Sequence, residues 1–185
     1  MAAKTALPYT PDDADPAAQP TPGLRRRLAS MLYEGVILFG VLMLAGLLFG
    51  VIAGQRHAMT YRHELQAFVF LVLGGYFVWF WTHGGQTLPM KTWHLRLVRV
   101  DGRPVTVLQG AVRYAMSWFW FLPALAAAEV LHLHGSSAFY TAILIGVAGY
   151  AALTLVLPDS QFLHDRLSKT RLITWRPAPR RRSNA

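Results

Sequence analysis

Residues 24–54 read LRRRLASMLYEGVILFGVLMLAGLLFGVIAG. Past the arginines, the run from Leu28 to Gly54 carries a single charged side chain, Glu34. An α-helix rises about 1.5 Å per residue, so ~20 such residues cross the ~30 Å hydrocarbon core of a bilayer. Every backbone N–H and C=O must find its partner inside a segment surrounded by lipid, which selects a helix. Three more runs follow, over residues 66–82, 111–131 and 137–157. The expected fold is therefore all-α and transmembrane: a four-helix membrane bundle. Composition agrees, with 54% hydrophobic and 15% charged residues in 185, where soluble domains carry about 25% charged. There is no cysteine, which excludes disulfides, thiolate catalysis and iron–sulfur ligation.

The net charge of +9 is explained by sidedness. Sixteen of the eighteen basic residues fall in the N-terminal segment, in the stretch from Lys91 to Arg113, or in the tail from Arg166 onward; Arg56 and Arg62 are the remaining two. Positive residues stay on the cytoplasmic side, and an even number of spans demands the same arrangement, so both termini and the middle loop are expected inside. Basic residues sorted by side imply contact with anionic lipids rather than with nucleic acid. Trp79, Trp81, Trp118 and Trp120 lie near the inner ends of spans two and three, where an aromatic belt is expected.

Residues 1–24 hold five prolines and three aspartates and too little apolar surface to offset chain entropy, so they read as disordered. Residues 176–185 form a second disordered, basic tail. Between spans two and three, Trp93, Leu95 and Leu97 alternate with His94 and Arg96, then Asp101-Gly102 offers a tight turn before Val105, Thr106 and Val107. That pattern predicts a short cytoplasmic β-hairpin, with Pro104 making its return strand irregular.

The stretch FVWFWTHGGQTLPMKTWHLRLVRVDGRPVTVLQGAVRY at 77–114 and the motif LHDRLSKTRLI at 163–173 resemble the RDD family of bacterial membrane proteins. The likeness covers residues 25–175 as one membrane domain. The resemblance assigns the family's arginine role to Arg27, sets Glu34 where the first aspartate stands, and matches Asp165 to the late aspartate. Gly85, Gln86, Thr87 and Lys91 match its central signature, Gln109 and Arg113 the entrance to span three, and His164 with Thr170 the late motif. Pro89 replaces a usual glycine. The resemblance implies a multi-pass protein of the bacterial cytoplasmic (inner) membrane, for which transport has been suggested.

A carboxylate inside an apolar helix is costly and needs a cation, a polar cavity or a proton. Glu34 lies two turns from Arg27 on one helix face, with Arg113 as a second partner, and the three form either a solute-binding polar cluster or a structural ion pair. Asp165, flanked by His164 and Arg166, reads as a salt-bridge knot tying the tail to the Lys91–Arg103 segment. Gly46, Gly50 and Gly54 make overlapping G-x-x-x-G repeats, pointing to a homodimer or to close packing within one bundle. Gly74-Gly75 and Gly146 with Gly149 read in the same way, and Pro123 is expected to kink span three. His57, His63, His132 and His134 are weak metal candidates without a diagnostic spacing. No cofactor is expected, and no nucleophile–base pair suggests an enzyme. Two functions are weighed: movement or gating of a small solute or ion through the polar cluster, and a non-transporting scaffold that recruits a membrane partner protein through the hairpin and tail.

Overall fold

A computed structural model of the chain describes Thr10 and residues 14–52, 62–133, 136–156 and 161–176. Helix α1 (Leu24–Ile52), α2 (Arg62–Thr82) and α6 (Ser136–Val156) supply three helices long and apolar enough to cross a membrane. The remaining apolar run is not one helix. It forms α4 (Val107–Ser117), a 3-10 turn over Trp118–Trp120, and α5 (Leu122–Val130). The break follows from Pro123, which stands in the first turn of α5. Proline has no N–H to continue an α-helical ladder, and its ring crowds the carbonyl four residues earlier. The start of α4 is locally encoded: the Thr106 hydroxyl accepts the Gln109 N–H at 3.3 Å, while the Gln109 side-chain oxygen accepts the Thr106 N–H at 3.3 Å. That reciprocal pair is a capping box.

The expected hairpin is wrong in its partner. β1 (Leu95–Arg99) pairs antiparallel with β2 (Thr170–Thr174), Leu97 opposite Leu172 and Arg99 opposite Thr170. The Asp101-Gly102 turn does form, with Gly102 at φ +79° and the Arg99 N–H donating to the Arg103 carbonyl at 2.9 Å. Pro104 then has no N–H for a ladder and the Thr106 cap starts α4, so no return strand develops. Between α2 and β1 lies the short helix α3 (Leu88–Thr92), and α7 (Leu163–Leu167) precedes β2.

Part of the segment expected to be disordered is ordered. The Thr174 N–H donates to the Pro20 carbonyl at 2.9 Å, and the Arg171 guanidinium donates to the Ala17 and Gln19 carbonyls at 2.8 and 3.0 Å. Residues 14–23 thereby cover the sheet face that carries Val98 and Ile173, which are both buried. Val98, an apolar residue on the same face as Arg96, is accommodated because both faces of this sheet are covered. Arg26 closes the end of the sheet, donating to the Trp93 carbonyl at 2.6 Å.

The other sheet face meets the helices. Leu95, Leu97 and Leu172 pack with Trp81, Met90, Val105 and Tyr114 into one core cluster; Trp120, Ala151 and Phe162 form a second. Trp81 and Trp120 are thus core residues rather than belt anchors, whereas Trp79 is 60% exposed and stacks on His83. Small residues mediate two helix contacts. A Cβ on Gly74 would touch the Tyr114 ring at 3.0 Å, and one on Gly146 would lie 2.5 Å from the Ala124 Cβ. Among the described residues a Cβ on Gly46, Gly50, Gly75 or Gly149 would meet nothing within 4 Å, so packing among those residues does not account for Gly46 and Gly50. Gly54 lies outside the described residues.

Candidate functional site

The polar residues of α1 converge with those of α4 and α7 at the sheet end of the molecule. α1 has 29 residues and is about 43 Å long, more than a ~30 Å core requires. Arg27 and Glu34, in its first three turns, are therefore at the end of the helix rather than at its midpoint. Both are buried, at 2% and 8% exposure.

Glu34 does not pair with arginine. Its Oε1 accepts the Tyr76 hydroxyl at 2.6 Å and its Oε2 accepts the Thr87 hydroxyl at 2.5 Å. Thr87 is fully buried and caps α3, its hydroxyl oxygen also accepting the Met90 N–H at 3.4 Å. The turn before it is pinned to β1. The Leu97 N–H donates to the Gly85 carbonyl at 2.7 Å, and the Gln86 amide donates to the Leu95 carbonyl at 2.5 Å. Gly85 has φ +73°, and a Cβ there would collide with the Leu97 carbonyl oxygen, so both the backbone and the space require glycine. Pro89 sits in the first turn of α3, where a missing N–H is tolerated. Lys91 is exposed in the last turn of that helix, and Gln109 belongs to the α4 cap described above.

Asp165 takes Arg113 as its partner. Nε and Nη2 of Arg113 lie 2.9 and 2.7 Å from Asp165 Oδ1, with side-chain exposures of 8% and 0%. The knot expected between the tail and the Lys91–Arg103 segment is instead made to α4. The Arg113 guanidinium stacks over Trp81 at 4.2 Å. The hydroxyls of Ser168 and Thr170 donate to the Asp165 backbone carbonyl at 3.1 and 3.3 Å. These bonds explain two polar positions of the late motif as supports for the turn that carries Asp165.

His164 Nε2 is 3.5 Å from Asp165 Oδ1, and its Nδ1 is 2.9 Å from the Tyr150 hydroxyl. The same hydroxyl oxygen accepts the His164 backbone N–H at 3.1 Å. Burial pushes the His164 pKa down to about 4; Asp165 opposes that shift, while Arg113 and Arg27 add to it. The ring is neutral at physiological pH.

Arg27 differs from Arg113. It stacks over Phe162 at 4.5 Å, but among the described residues its buried Nε and Nη1 have no hydrogen-bond partner, and neither has Asp165 Oδ2. Arg27, Glu34, Arg113 and His164 line one cavity of about 350 Å³ whose other walls are mainly apolar.

Thus Arg27, Glu34 and Arg113 line a common cavity, with Asp165 bound behind Arg113. Tyr76, Tyr150, Phe162 and Trp81 are the partners that sequence reasoning missed. Each is one aromatic among many in an apolar stretch, and Tyr76 stands 42 residues from the carboxylate it holds. Of the metal candidates, His57 and His134 lie outside the described residues, and no group of three ligating side chains occurs among the described ones.

Long apolar helices whose polar residues are turned inward define a membrane protein. This chain belongs to the RDD family, whose family model matches residues 21–169; RDD proteins are membrane proteins. No curated protein and no solved structure matches it.

Proposed function

We propose that this protein moves or gates a small solute or ion across a bacterial cytoplasmic membrane, with the cavity at the sheet end as the solute site. The observation that carries the reading is the lining of one cavity by Arg27, Glu34 and Arg113, buried charges on two separate helices. Buried charge in a membrane bundle is costly and is retained where it binds or passes a polar species.

The topology in this reading has four crossings, with both termini inside. β1 follows α2 and pairs with β2 near the C-terminus, and residues 14–23 lie on the same sheet. Three basic segments thus meet on one side. With α6 as one crossing between β1 and β2, the chain needs another between them, and α4 with α5 supplies it as a broken span. Broken helices in a membrane are tolerated where they line a polar cavity.

The test is flux in proteoliposomes under Na⁺, K⁺ and H⁺ gradients, comparing wild type with Glu34→Gln. Flux that disappears in the variant, at equal insertion and melting temperature, supports the reading; equal flux in the variant removes Glu34 from the path. A scaffold is the second reading, favoured by the sheet that residues 14–23 cover. In that case Glu34→Gln is silent and Arg171→Ala, which releases the N-terminal segment, abolishes partner cross-linking.

A further inference from the structure

We infer that the cavity takes an amphiphilic anion: a carboxylate or phosphate monoester headgroup held by Arg27, with a single apolar chain along the helix walls. The inference rests on reading the cavity as the solute site and names the class of its occupant.

The argument begins with unequal arginines. Arg113 is neutralised by contact, two of its nitrogens bonding one oxygen of Asp165. Both oxygens of Glu34 are engaged by hydroxyls. Arg27 is as deeply buried as either, yet Nε and Nη1 donate to nothing among the described residues. A buried donor without an acceptor costs the whole desolvation of that group, more so when it is charged. Nε–H and Nη1–H lie on different edges of the guanidinium plane, so each can donate a single charge-assisted hydrogen bond to an oxygen of a carboxylate or phosphate. Phe162 covers one face of the guanidinium at 4.5 Å, and Arg27 is part of the lining of the cavity.

The walls select the rest of the ligand. Leu38, Leu73, Phe77, Trp118 and Phe121 line the cavity beyond Arg27, and apolar area of that kind discriminates for a hydrocarbon chain over a small inorganic ion. The volume of about 350 Å³ falls within the range of small-molecule sites, about 300–1,000 Å³. Phe121 is 43% exposed and Met31, which also lines the cavity, 42%, so the rim is apolar, as entry from a bilayer requires.

The experiment uses the purified full chain in a neutral detergent and reads tryptophan emission, since Trp81, Trp118 and Trp120 line the cavity. The probe is 11-bromoundecanoate, whose bromine quenches indoles on contact; 11-bromoundecanol is its neutral counterpart. The expected result is saturable quenching by the acid with an affinity about tenfold or more above that of the alcohol, the effect of one charge-assisted hydrogen bond. Dodecyl phosphate should compete with the acid, and inorganic phosphate and acetate should not. Arg27→Gln should bring the acid down to the alcohol, and Arg27→Lys should fall between. Equal binding of acid and alcohol by wild type overturns the assignment, and needs no variant to fold. Displacement by acetate or inorganic phosphate at the same concentrations also overturns it, because the apolar walls would then contribute nothing. Binding without flux of any solute defeats the transport reading alone; flux without binding of the amphiphile defeats this assignment alone.

Discussion

The two ends of α1 are built on opposite rules. At the sheet end Arg27, Ser30 and Glu34 are buried, at 2%, 3% and 8% exposure, whereas at the far end Leu44, Leu47, Val51 and Ile52 are two-thirds to three-quarters exposed. In water that distribution would be inverted. In a membrane, exposed leucine and valine meet a solvent as apolar as themselves, so their pattern carries little information about neighbours. The polar residues carry it instead, because each must find a partner or a cavity. The sheet end is accordingly the part of the molecule in which single side chains are specified, and the far end the part in which only length and apolarity are.

The strongest way to break this contrast is Asp165→Ala. It leaves Arg113 as a buried charge without its acceptor, which costs about 3–5 kcal/mol, read as a large fall in melting temperature and in folded yield from detergent. A shift below about 1 kcal/mol would mean that the pair is not what holds α7 to α4.

Acid should attack the same end. His164 has a pKa near 4 in the folded protein, against 6.5 ordinarily, so the unfolded chain binds the extra proton between those values. Its neutral burial is fully compatible with folding above pH 6.5, and stability is lost as pH falls from there toward 4. The loss is about 2 kcal/mol between pH 7.5 and 5.0, and about 3 kcal/mol in full below pH 4. Melting curves at pH 7.5 and 5.0 measure it, and His164→Gln should flatten the dependence. A slope unchanged in the variant would assign the acid sensitivity to another group.

Gly85→Ala should cost about 1–3 kcal/mol, since a side chain at that positive φ is strained and collides with β1. The smallest effects sharpen the comparison between glycines. Gly146→Ala overpacks against Ala124 and should cost about 1–3 kcal/mol, whereas Gly46→Ala, with open space around it, should change stability by less than about 0.5 kcal/mol. A clear loss at Gly46 would show that a second copy occupies that face.

Much of the fold was legible in residues that act locally. The apolar runs of α1, α2 and α6 announce themselves by length, and Pro123 gives notice of the break in the remaining run. Glu34, a carboxylate in an apolar helix, marked the site. Its pairing was not legible, because Tyr76 and Thr87 stand 42 and 53 residues away; Thr87 belongs to the central signature, but nothing local ties it to Glu34, and Tyr76 is one aromatic among many. The spacing of Arg27 and Glu34 suggested a pair on one helix face; the hydroxyls of α2 and α3 reached the carboxylate instead. β1 carried a readable strand pattern, but a strand pattern does not name its partner. The nearest β-rich residues, 105–107, were removed by Pro104 and the Thr106 cap.

The sequence by itself determined that this chain is a membrane protein, because apolar length against bilayer thickness is decided residue by residue within each segment. It also determined which side chains are too polar to face lipid. Only the tertiary structure decided how those side chains pair: β1 with β2 across 75 residues, Arg113 with Asp165, and Arg27 with no carboxylate by contact among the described residues. Pairing depends on which helices lie side by side, and that is settled by packing at the sheet end, not by any property of a segment taken alone.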